Sequence, residues 1–151
     1  MRVFETAAEL VPLVGQEVGV SDWLTIGQDK IDAFAELTGD HQWIHVDVEK
    51  ARERMPGGKT IAQGYLVMSM VPKMQIYRIA TFSRALNYGF DRLRFTGAAP
   101  SGARIRQRQV IKACDRVEDA HAYRVTNSCT IEVEGQDRPA IVADQVIQYF
   151  D

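Results

Sequence analysis

Hydrophobic and polar positions change rhythm once along this chain. Up to about residue 79 the apolar positions recur at helical spacing or crowd together. From Ala85 onward they alternate with a period of two. The densest apolar stretch is Thr60–Ile79, TIAQGYLVMSMVPKMQIYRI. Ile61, Ala62, Leu66, Val67, Met70 and Met74 cannot share one narrow stripe, and a helix that is apolar all round is one enclosed by other elements. The pattern therefore predicts a buried helix over Ile61–Ile79, with a kink or break near Ser69–Met70 because Pro72 lies inside it. Gln63, Lys73, Gln75 and Arg78 interrupt the run before the ~20 apolar residues that a membrane crossing needs.

Ahead of it, residues 6–14 predict a short helix carrying Pro12, and EVGVSDWLTI (17–26) a first strand with Val18, Val20 and Leu24 inward. Gln28–Thr38 reads as a helix, capped by Gly27 and stopped by Gly39, with Ile31, Phe34, Ala35 and Leu37 at helical spacing. A compact loop at 40–46 follows, then Asp47 as the cap of a short polar helix that Pro56, Gly57 and Gly58 end. Behind the apolar helix, LNYGFDRLRF, RIRQRQVIKACDRV, HAYRVTNSCTIEVE and AIVADQVIQYF read as four strands. In the third of these, His121, Tyr123, Val125, Asn127, Cys129, Ile131 and Val133 share one face. Strand, helices and then a run of strands make an α+β arrangement in one domain spanning residues 1–151.

Composition changes this picture little. The 46% hydrophobic and 25% charged residues are ordinary for a globular chain. A formal net charge of −2 gives no reason to expect nucleic acid or an anionic membrane as partner. The first residues lack the cationic start and uninterrupted apolar core of a signal peptide. Cys114 and Cys129 do not pair by register if 103–117 and 121–134 form a hairpin, because Cys114 falls opposite about residue 123. Two reduced thiols point to a cytoplasmic setting. The third histidine, His121, lies far from the others and the cysteine spacing matches no zinc pattern, so no metal site is expected.

Asp40 and His45 are the residues that could carry chemistry. Five residues apart, they would not share a face of one helix, but a loop that ends a helix can bring both to one place. Hydrating a carbon–carbon double bond beside a carbonyl needs a base to take a proton from water and a proton for the neighbouring carbon. An imidazole titrating near neutrality and a carboxylate within reach of the same water suit that task. The alternative is a local turn aspartate and a structural histidine. Gly64 is the next candidate: the free N–H groups at a helix start can take up negative charge developing on a carbonyl oxygen. Its alternative is close packing against a strand.

FAELTGDHQWIHVD (34–47) followed by TIAQGYL (60–66) resembles the MaoC-like dehydratases, or (R)-specific enoyl-CoA hydratases, and more narrowly their nodulation-protein-N-like branch, which shares the GDHQWIH wording. LNYGFDRLRF with a following Pro/Gly turn fits that branch too, so the resemblance runs from about Gly27 to about Arg108. It implies a hot-dog fold, a long central helix wrapped by a curved antiparallel sheet, and a homodimer with the site near the subunit interface. It implies that Asp40 and His45 hold and activate water, that the Gly64 N–H receives the thioester carbonyl, and that the substrate is an acyl-CoA or acyl-carrier thioester with no separate cofactor. Gln42–Trp43 replace the Asn-Pro of most members, Gln63 replaces a histidine, and Pro72 stands where some members carry a serine. Asn87, Gln63, Trp43 and Tyr65 are further candidates for substrate contact, and Asn87 could orient the water or the histidine, or serve only as a strand-end hydrogen bonder. Some of Arg84, Arg92, Arg94, Arg104, Arg106 and Arg108 could meet coenzyme A phosphates, or serve only as a solvated sheet face. The activity this implies is hydration of trans-2-enoyl-CoA to (R)-3-hydroxyacyl-CoA. A non-catalytic acyl-thioester binding protein and a thioesterase remain open beside it.

Overall fold

A computed structural model describes all residues, Met1–Asp151. The period-two half of the sequence forms the long strands: β5 (Arg84–Phe95), β6 (Ala103–Val117), β7 (Ala122–Val133) and β8 (Ile141–Phe150). They are joined by β2 (Glu17–Val20) and β3 (Leu24–Ile26), which follow a three-residue β1 (Arg2–Phe4). The antiparallel sheet runs β2-β6-β7-β8-β5, and β3 lies beyond β2 along the same edge of β6. The expected first strand is thus two strands. Between them Ser21 draws the chain onto Gln107, whose N–H donates to the Ser21 hydroxyl. The β6–β7 turn falls at Glu118–Ala120. That turn, one to two residues later than expected and capped by His121, sets Cys114 opposite Val125 rather than residue 123, and both cysteines are free and buried.

The helical half follows its caps. Helix α1 is Gln28–Thr38, started by Gly27 and stopped by Gly39 at φ +77°, a left-handed conformation that glycine adopts without a Cβ penalty. Ile31 and Ala35 are buried on its inner face, but Leu37 is 82% exposed, so helical spacing alone overstated its apolar face. A single turn, α2 (Trp43–Val46), leads to α3 (Val48–Arg54), whose cap Asp47 accepts from the Lys50 N–H at 2.9 Å.

The central helix is shorter than its apolar pattern predicted. Helix α4 covers Gly64–Ser69 and ends where Pro72 removes a donor; a 3-10 turn (Val71–Met74) continues its path. Tyr77–Ile79 leaves the helical path altogether as β4, paired in parallel with β1. Apolar residues on every side mark burial, which a strand between packed layers satisfies as well as a helix does. The α+β hot-dog arrangement stands, with α4 and its 3-10 extension lying on the sheet. The core divides in two: Ile26, Ile31, Leu66, Val67, Ile105 and Ile131 meet in one cluster, and Leu10, Val18, Ile76, Ile79, Ile111 and Val125 in the other. Fully burying each such side chain contributes about 1.5–3 kcal/mol.

Candidate active site

Gly39 ends α1 and turns the chain, so Asp40 leaves the helix sideways, and α2 brings His45 back beneath it. The His45 Nε2 lies 3.8 Å from the Asp40 Oδ2. The imidazole is 10% exposed and the carboxylate 47%, so the pair sits at the surface with the ring on the inner side. His45 Nδ1 is 2.7 Å from the carbonyl oxygen of Ile61. A carbonyl can only accept, so Nδ1 carries the proton, and in the neutral ring Nε2 presents a lone pair toward Asp40. At 3.8 Å the two groups are beyond direct hydrogen bonding, at a separation that a shared third group would bridge.

Four backbone and side-chain hydrogen bonds fix this corner. The Ile61 N–H donates to the Ile44 carbonyl at 3.0 Å. Gln28, at the start of α1, donates to the His45 carbonyl at 2.7 Å and accepts from the Thr60 hydroxyl. Gln63 is buried and donates to the Ile31 carbonyl at 3.3 Å. Together they bind α1, α2 and the start of α4 into one unit. Gln28 escaped the sequence reading because its partners are 17 and 32 residues away.

Gly64 heads α4, three residues beyond the carbonyl that holds His45. Its N–H, like others in the first turn, has no intrahelical partner. Its Cα is also closely packed: a Cβ there would come within 2.6 Å of the Phe95 ring on β5. Tyr65 meets that ring edge-on, with centroids 5.5 Å apart, and is largely exposed. Trp43 is covered by the Lys50 ammonium, 4.7 Å from the ring centroid. A cavity of about 530 Å³ involves none of Asp40, His45, Gly64, Trp43 or Tyr65. It lies at the far end of the central helical path, and Asn87 lines it, bonded to Gln145 at 3.3 Å rather than to the histidine.

The arginines separate into groups. Arg104 pairs with Glu134, and Arg106 and Arg108 share Glu132, with Arg108 also reaching Glu17. Arg92 approaches Asp144 at 3.6 Å, and Arg84 stacks over Phe150. Arg94 donates to its neighbour's carbonyl and has no acidic partner. No helix is long and apolar enough to cross a membrane.

Residues 9–133 match the family described as MaoC like domain. The chain is 40% identical over 151 residues to 3-hydroxyacyl-thioester dehydratase Z of Mycobacterium tuberculosis, covering 99% of each chain. To Nodulation protein N of Rhizobium leguminosarum bv. viciae it is 39% identical over 148 residues, covering 95% of this chain and 91% of that one. Among solved structures, R-hydratase PhaJ1 from Pseudomonas aeruginosa superimposes with a TM-score of 0.70 at 18% identity, over 97% of this chain and 86% of that one. The (R)-hydratase of A. caviae gives 0.63 at 20% identity, over 85% and 95%. These two share the fold.

Proposed function

The chain belongs to the MaoC-like dehydratase family, and on that premise we propose that it adds water to trans-2-enoyl thioesters to give (R)-3-hydroxyacyl thioesters, and runs the reverse dehydration. The observation that carries the proposal is the His45 ring, fixed through Nδ1 with Nε2 turned to Asp40. In this reading the two groups hold one water. Nε2 takes a proton as the water oxygen bonds to C3, and the electron pair of the double bond moves toward the thioester carbonyl. The N–H of Gly64 takes up the charge on that oxygen. The proton is then returned to C2, with Asp40 sharing its delivery, so one water is consumed and no group is left over. Water and thioester supply every atom, and no resident cofactor is required.

A homodimer fits the same reading. β5 is a terminal strand twelve residues long, exposed nearly throughout and carrying Leu86, Tyr88, Phe90 and Phe95. A long apolar edge of this kind is normally covered. A second copy along β5 would lie beside Tyr65 and Phe95 and wall the approach to Gly64. Coenzyme A is the proposed carrier, with Arg94 free to meet a phosphate. The free, buried thiols support a cytoplasmic setting for one hot-dog domain over residues 1–151.

The test is loss of enoyl absorbance with crotonyl-CoA and longer enoyl-CoAs. Each positioned acid–base group contributes about 10²–10⁴ in rate, so Asp40→Asn and His45→Ala should each lose that much with the fold intact. Release of free coenzyme A would indicate a thioesterase instead, and saturated acyl-CoA binding without any turnover a binding protein.

A further inference from the structure

The cavity at the far end of the helical path is lined in a way that an alkyl chain does not need. Alternation in RIRQRQVI turns Gln107 and Gln109 to the same face as Ile105 and Ile111, so two carboxamides enter the interior from β6. Gln145 enters from β8, and Asn87 completes the set from β5. Gln107, Gln109 and Gln145 are all more than nine-tenths buried. Gln107 is 2% exposed; its amide nitrogen has only a 3.4 Å contact to Gln109, and its carbonyl oxygen has no partner. Val71, Ile79, Phe82, Leu86 and Ile147 supply apolar wall between these carboxamides, together with Tyr77 and Tyr149, whose hydroxyls burial pushes up, so they stay protonated. Arg78 is the sole charged lining residue and is exposed. A buried carboxamide oxygen left unpaired destabilises the fold, so the Gln107 oxygen, with the Gln109 and Gln145 amides beside it, points to a cavity occupant that bonds there.

The distance suits an acyl group. Gly64, at the start of the helical path, and Val71, where the cavity lining begins, are separated by about 10 Å at 1.5 Å per residue. Gln107 also lies in one cross-sheet row with Ile131, Ile141 and Phe95, the ring packed on Gly64. The row is apolar near Gly64 and turns polar at Gln107.

We infer that this cavity receives the far end of the substrate's acyl group, and that it selects chains carrying a neutral oxygen function there, a hydroxyl or a ketone, over unsubstituted alkyl chains. The inference rests on the thioester reading above. A hydroxyl both donates and accepts, matching the two ends of a carboxamide. A carboxylate would be brought in without a buried cation to meet it.

The test compares trans-2-decenoyl-CoA with its terminal-hydroxyl counterpart. The hydroxylated chain should have the higher kcat/KM by about tenfold, the worth of one added buried hydrogen bond. Gln107→Leu and Gln145→Leu, made separately, should abolish or reverse that preference while leaving crotonyl-CoA turnover unchanged; near-isosteric leucine at two sites guards against one variant failing to fold. A wild-type preference for the alkyl chain, or a ratio that neither variant moves, overturns the inference. If no enoyl-CoA is turned over, the hydratase reading fails by itself. Calorimetric binding of decanoyl-CoA and its terminal-hydroxyl counterpart then decides the cavity: tighter binding of the hydroxylated chain supports it, and equal or weaker binding overturns it.

Discussion

The carbonyl of Ile61 fixes the tautomer of His45. Their 2.7 Å contact places the ring proton on Nδ1 and leaves Nε2 as the basic nitrogen facing Asp40. Imidazole ¹⁵N shifts above the titration range of the ring should therefore show a protonated Nδ1 and a bare Nε2. The opposite pattern would remove His45 as a base toward Asp40.

Gly64 and Phe95 should be energetically coupled. A methyl group at 64 would overlap the ring at 2.6 Å, and overpacking of this kind costs about 1–3 kcal/mol. Gly64→Ala should lower stability by that order in the wild type and by much less in a Phe95→Ala background. Denaturant unfolding of the four-protein cycle measures the difference, and additive effects would mean that the ring simply swings aside.

The β5 edge predicts the oligomeric state. Wild type should sediment as a dimer, and Leu86→Lys with Phe90→Lys should shift it to single chains, since charge on an edge strand opposes pairing. A monomeric wild type would leave β5 without its proposed cover.

Asp144 links stability to acid. Its carboxylate is 3% exposed, 2.7 Å from the Lys112 ammonium and 3.6 Å from the Arg92 guanidinium. Burial works to raise its pKa, but the Lys112 hydrogen bond and the charges of Lys112 and Arg92 together hold it below the ordinary carboxylate range. A depressed folded-state pKa stabilises above the unfolded value of about 3.9 and is lost as pH falls through the folded one. Asp144→Asn should thus cost about 1 kcal/mol near neutrality, the partners being half exposed, and progressively less in acid. Urea midpoints across pH 2–7 would test this, and a constant gap would refute it.

Neither cysteine should react in the folded state. Burial pushes Cys114 up to about 11 and Cys129 up to about 12, so thiolate is scarce at neutral pH. A disulfide reagent such as Ellman's should find no thiol in native protein and both in urea.

Much of the architecture was legible because its signals are local. Gly27 and Gly39 bound α1 at its observed ends, Asp47 caps α3, and the alternation sorts β7 from Val125 to Val133, whereas His121, expected on the inner face, is the exposed left-handed residue of the turn before it. Long-range partners leave no such mark. Tyr77–Ile79 is apolar and continuous with a helix, and only pairing with Arg2–Phe4 makes it a strand. The approach of Asp40 to His45 could be suspected from the helix stop at Gly39 just before them, whereas Gln28, which secures the corner from a distance, could not. The glutamines of β6 stood at inward positions in plain alternation, but polar residues on a core face mean nothing until the cavity they surround is seen. Leu37 errs the other way: its spacing is helical, yet nothing packs against that part of the helix.

The parallel pairing of β1 with β4 has a consequence for assembly. Arg2 meets Tyr77 more than seventy residues later in the chain, and the Phe4 carbonyl accepts from Ala80. Contacts so distant in sequence pay a large loop-closure cost and form slowly. On the ribosome, Arg2–Phe4 must wait for more than seventy further residues to emerge, so a segment born early is recruited late.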